Sequence, residues 1–91
     1  MANTRAEIRV SGRVQGVWFR QSTKNTAEQY GAKGWCRNNP DGSVTAVFEG
    51  TEDAVEAVIN WCKSGSDMAR VDDLQVELEI PTGEFDSFQI R

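Results

Sequence analysis

Between Ala6 and Tyr30 the chain changes its hydrophobic rhythm once, and that change restricts the folds open to it. Ala6-Glu7-Ile8-Arg9-Val10-Ser11 alternates with period two, the pattern of a strand with one face in a core. Residues 20–30 read instead as a helix, with Phe19, Thr23, Ala27 and Tyr30 as its apolar stripe and Gly31 as a C′ glycine. The two are joined by Gly12-Arg13-Val14-Gln15-Gly16-Val17-Trp18-Phe19-Arg20, a loop framed by two glycines that delivers an arginine at the start of the helix. Glycine lets a backbone approach a ligand closely, and successive N–H groups in such a loop form an anion-binding concavity. The helix N-terminus behind it adds orphan donors and the positive end of a dipole. A guanidinium there fits a phosphoryl group with two hydrogen bonds. The segment reads as a cradle for one small anion.

The rest of the chain supplies the sheet around it. Gly34–Asn38 predicts a short strand, and Asn39-Pro40-Asp41-Gly42 a turn, since proline presets φ and glycine accepts positive φ. Ser43–Glu49 returns as a strand with Val44, Ala46 and Phe48 on one face. Gly50 ends it, and Thr51-Glu52-Asp53 caps and charges a second helix. Ala54, Val55, Val58, Ile59 and Cys62 form that helix's stripe, and Gly65 stops it. Val71–Glu79 alternates again, and Pro81-Thr82-Gly83 turns the chain into a last strand with Phe88 and Ile90 on one face. The order βαββαβ plus a terminal strand predicts an α+β, ferredoxin-like sandwich in one domain, residues 1–91. Its antiparallel sheet should hold four to five strands, with two helices on one face. A right-handed crossover makes the first two strands run the same way. Arg20 and Asn38, far apart in sequence, should therefore meet at one end of the sheet.

Charge supports an anionic ligand. Residues 13–37 hold Arg13, Arg20, Lys24, Lys33 and Arg37 against Glu28 alone, while the whole chain carries a net charge of −4. A long basic face for extended nucleic acid is missing. No stretch approaches the ~20 apolar residues of a membrane span, and Met1-Ala2-Asn3-Thr4-Arg5 shows no apolar leader. A cytoplasmic location is the expectation. Cys36 and Cys62 lack Cys-x-x-Cys spacing and are expected to be buried and reduced.

The chain has no histidine, which removes the commonest general base and most zinc sites. Expelling an alkoxide from an ordinary phosphate ester needs a general acid or a metal. A carboxylate leaving group, with a pKa of about 4, needs neither. The substrate that a cradle, one arginine and one asparagine could cleave without metal or cofactor is thus an acyl phosphate. Arg20 and the loop amides would hold the phosphoryl oxygens while neutral Asn38 orients water. Inorganic phosphate would be product and inhibitor.

Gly12–Arg20, together with Gly34-Trp35-Cys36-Arg37-Asn38 and Asp41-Gly42-Ser43-Val44, closely resembles the acylphosphatase family, and the resemblance extends over nearly the whole chain. It implies a ferredoxin-like fold and metal-free hydrolysis of carboxyl–phosphate bonds by a small cytosolic monomer. By motif position the catalytic residues fall on Arg20 and Asn38, and the phosphate-binding loop on Gln15, Gly16, Val17, Trp18 and Phe19. Cys36 stands where the family usually has an aliphatic residue, Trp18 fills a variable loop position, and Gly65-Ser66 replaces a frequent Gly-Pro.

Three other readings use the same residues. A non-catalytic anion-binding domain predicts phosphate binding without turnover. An RNA-recognition module needs aromatics on the open sheet face. The expected open positions, Arg5, Glu7, Arg9, Thr45, Val47 and Glu49, offer none. A carbamoyl-phosphate-processing domain of a hydrogenase-maturation factor would need further domains.

Overall fold

Each apolar stripe of the sequence finds a layer to face. The computed structural model describes residues 3–16, 18–65 and 68–91. Its elements are β1 (Asn3–Arg13), α1 (Phe19–Tyr30), β2 (Lys33–Asn38), β3 (Val44–Thr51), α2 (Glu52–Ser64), β4 (Arg70–Glu79) and β5 (Phe88–Ile90). The strands form one sheet in the order β4-β1-β3-β2-β5. β1 pairs antiparallel with β3 and β4, and β3 with β2, so β1 and β2 run the same way on either side of β3. β5 joins the outer edge of β2 in parallel, with Cys36 opposite Ile90, which makes the sheet mixed.

The core is built from the period-two residues Ala6, Ile8 and Val10 of β1 and Val44, Ala46 and Phe48 of β3. Phe19 and Ala27 of α1 meet them from above, as do Val55, Val58, Ile59 and Cys62 of α2. Phe48 stacks on Phe88 with ring centroids 5.5 Å apart, which fastens β5 to the core. Tyr30, expected on the buried stripe of α1, is 48% exposed, because Gly31 ends the helix and the chain drops away at once into β2. Leu74 of β4 packs against the core, whereas Val76 and Leu78 on the same face are exposed, Leu78 across an open hollow from Val55 and Ile59 of α2.

The open face of the sheet departs from expectation. Thr45, Val47 and Glu49 are buried rather than exposed. To reach β5 at the far edge, the segment after β4 crosses this face, and the Glu49 carboxylate accepts the N–H groups of Thr82 (2.6 Å) and Gly83 (3.0 Å). Arg5 lies over the Phe85 ring beside it. An aromatic does occupy the open face: Trp35 is flanked by the guanidinium groups of Arg37 (5.2 Å) and Arg91 (4.7 Å). The sequence reading omitted β2 from that face.

Candidate active site

The loop after β1 starts from a fault in strand pairing. Ser11 faces Asp73, but Gly12 faces Val71, so β4 carries one extra residue and the pair is bulged. Gly12 has φ +124°, and a Cβ on it would sit 2.2 Å from the main-chain oxygen of Arg70. Its freedom serves close contact with β4, not with a ligand. Gly16, at φ +73°, has no atom within 4 Å of where a Cβ would stand, so its backbone faces open space.

Val14 anchors the loop in the core between these glycines. Gln15 turns its side chain away: Nε2 donates to the main-chain oxygens of Asn39 (2.8 Å) and Ser43 (2.9 Å). Gln15 thus ties the loop to the β2–β3 turn, and only its main chain remains for a ligand. Val17, expected in the loop, lies outside the described residues. Trp18 occupies the left-handed region (φ 63°, ψ 15°) at the N-cap of α1, and its side chain makes no capping hydrogen bond. Its oxygen accepts from Ser22 N (2.9 Å), which starts the helix. Phe19 plugs into the core against Trp61, ring centroids 5.6 Å apart, and fixes the helix start in place.

Arg20 is half-buried in the first turn of this bare helix end, the second residue of α1. Its Nη1 donates to the main-chain oxygen of Arg91 (3.3 Å), while Arg91 N donates to the main-chain oxygen of Cys36 (2.8 Å). The Cys36 thiol in turn faces the main-chain oxygen of Arg20 at 3.8 Å. Arg20 is thereby fastened to β2 and β5 through both side chain and backbone. Burial pushes the Cys36 thiol up to about 11, against the opposing charges of Arg20 and Lys24, so it is no nucleophile at neutral pH. Cys62 is raised further by burial; the cysteines are free and buried as expected.

Asn38 lies two residues beyond Cys36, on the same strand face and at the end where α1 begins. It is exposed, and among the described residues its amide makes no hydrogen bond. Its neighbour Asn39 is committed: Nδ2 donates to Ser43 Oγ (2.9 Å) and Thr45 Oγ1 (2.7 Å). The turn is held further by Asp41, whose carboxylate accepts from Ser43 N and Oγ and pairs with Arg9. Those Ser43 hydrogen bonds above all pull the Asp41 carboxyl down to about 2. Of two adjacent asparagines, the fold uses Asn39 as a brace, while Asn38 finds no side-chain partner among the described residues.

Gly16, Trp18, Phe19, Arg20 and Gln21 line a hollow of about 410 Å³ with Val14 and Ile90. Arg91 and Ile90 were not singled out in the sequence, because only the parallel pairing of β5 brings them here. Among the described residues no three His, Cys, Asp or Glu side chains come together as a metal site.

An acylphosphatase family model matches residues 6–90. The chain belongs to the acylphosphatase family. An acylphosphatase of Haloarcula marismortui is 50% identical over 91 residues, covering 100% of this chain and 99% of that one. The crystal structure of acylphosphatase from Bacillus subtilis superposes with a TM-score of 0.93 at 33% identity, covering 97% of this chain and 98% of that chain. An acylphosphatase structure from Coxiella burnetii gives 0.92 at 31% identity, over 98% and 93%. No helix among the described residues is long and apolar enough to cross a membrane.

Proposed function

We propose that this protein hydrolyses the carboxyl–phosphate bond of acyl phosphates, releasing a carboxylate and inorganic phosphate. Membership of the acylphosphatase family supports the reaction class. The observation that supports the residue assignment is the hollow at the start of α1, where the helix has no side-chain cap and Arg20 lines the wall beside Gly16. Asn38 ends β2 at the same end of the sheet, and among the described residues its amide makes no hydrogen bond.

In this reading the loop amides and Arg20 grip the phosphoryl oxygens, with Arg20 exchanging its single long bond to Arg91 for two bonds to substrate. Asn38 holds a water behind the phosphorus. The water oxygen bonds to phosphorus as the phosphorus–acyl oxygen bond breaks, and the carboxylate leaves without needing a proton. The proton of the attacking water passes to a phosphoryl oxygen. Phosphate, held by the same groups, is product and inhibitor. We place the protein in the cytoplasm, a reading supported by its two free buried thiols, and take it to act as a monomer.

The test is an assay in chelator of benzoyl phosphate and acetyl phosphate beside phenyl phosphate. Full turnover of the acyl phosphates with almost none of the ester is expected. Phosphate binding without turnover would establish a binding domain instead.

A further inference from the structure

Trp18 is costly where it stands. Among the described residues it is the one non-glycine with positive φ, in a region that disfavours L side chains. Its side chain is 74% exposed and caps nothing. A glycine would satisfy this backbone better, so local stability gives no reason for an indole. Strained residues that persist cluster at ligand sites.

The hollow that Trp18 lines supplies the reason. It is the one containing Arg20 and Gly16, and Ile90 of β5, 37% exposed, contributes a second apolar surface. Its volume of about 410 Å³ is large for a phosphoryl group, which needs a few times the ~30 Å³ share of a water molecule. With the phosphoryl end gripped by Arg20 and the loop amides, the rest of the substrate must lie along what remains, where the exposed apolar surface is the Trp18 indole and the Ile90 side chain, beside the polar Gln21. An indole is rigid and offers a flat face at little cost in side-chain entropy.

We propose that Trp18, aided by Ile90, is the specificity wall for the acyl half, selecting acyl phosphates whose acyl group is planar and apolar, an aromatic acid above all, over short ones. The inference rests on the acyl-phosphate reading and deepens it.

The test compares wild type, Trp18→Gly, Trp18→Phe and Ile90→Ala. One arm takes the ratio of kcat/KM for benzoyl phosphate to that for acetyl phosphate. The other takes the ratio of calorimetric affinities for phenylphosphonate and methylphosphonate, which cannot be hydrolysed. Wild type should favour the aromatic member in both arms. Trp18→Gly, which suits the left-handed backbone, should lower each ratio on the order of tenfold, Ile90→Ala about twofold, and Trp18→Phe should retain most of the preference. Ratios unchanged by Trp18→Gly, with both members weakened equally, would overturn the proposal, as would equal binding of the two phosphonates to wild type. Should neither acyl phosphate turn over while the phosphonate preference still depends on Trp18, the wall stands and the hydrolytic reading falls.

Discussion

The two helices pack on the same sheet face and differ by one residue in length, yet their N-termini are finished in opposite ways. α2 begins at Thr51, whose Oγ1 accepts Ala54 N at 3.2 Å, and Glu52 and Asp53 place negative charge in its first turn. A side-chain cap and first-turn acids are both present. α1 begins at a left-handed tryptophan with no side-chain cap and no acid in its first turn. Its other end is well made, since Gly31 N–H reaches Ala27 and Glu28 oxygens and Ala32 N reaches Ala27 O. The neglect is confined to the end that faces the loop. In the proposed function, that bare start is where the substrate's phosphoryl group would sit.

The contrast can be broken most severely at Arg20. Arg20→Ala should lower kcat/KM by about 10³-fold or more, the scale of an arginine that neutralises a transferring phosphoryl group. Arg20→Lys should recover little of it, because an ammonium lacks the fork. Steady-state kinetics with benzoyl phosphate decides; a lysine variant near wild-type rate would make Arg20 a bystander. Asn38→Ala comes next, with kcat down on the order of 10²-fold for lost positioning of water and phosphate inhibition little changed. A matching loss of phosphate affinity would show that the amide grips the anion instead.

Much of this contrast was legible in the sequence. Thr51-Glu52-Asp53 announces a capped helix by residue type alone, and the parallel run of β1 and β2 on either side of β3 follows from the crossover rule. What escaped depends on contacts between distant segments. The bulge that makes Gly12 indispensable needs β4, some sixty residues on; the cover over Glu49 needs the crossing segment; Arg20's rest position needs the residue after β5. No local pattern encodes those meetings. The indole of Trp18 was visible as a residue, but its left-handed backbone was not, since nothing in the neighbouring types demands it.

Milder changes sharpen the comparison. Gln21→Glu gives α1 the first-turn acid it lacks. Thermal melts should show a gain of about 0.3–1 kcal/mol, while phosphate affinity falls on the order of tenfold as the new carboxylate competes for the helix end. A variant that gains stability with unchanged affinity would break the argument. Thr51→Ala is the mirror experiment: removing the α2 cap should cost about 1 kcal/mol, a drop in Tm of roughly 4–8 °C, with kcat untouched. The smallest effect concerns Asp41, in the turn that Gln15 ties to the loop. Its carboxyl is held at about 2, below its ordinary value of 3.8, so the charged form is favoured by folding. That stability is present above about pH 4 and disappears as pH falls toward 2. Acid titration of Asp41→Asn should show a shallower loss over that interval than wild type.

The β4 strand has a consequence for how molecules of this protein treat one another. It is a sheet edge ten residues long, with unpaired main-chain groups of the kind that recruit a neighbour's strand. Along it Asp72, Asp73, Glu77 and Glu79 interrupt the exposed Val76 and Leu78. If two copies met antiparallel about Gln75, Asp73 of each would face Glu77 of the other, and like charges across a strand pair repel. Those facing acids would set a charge penalty on extending the sheet edge to edge from one molecule into the next.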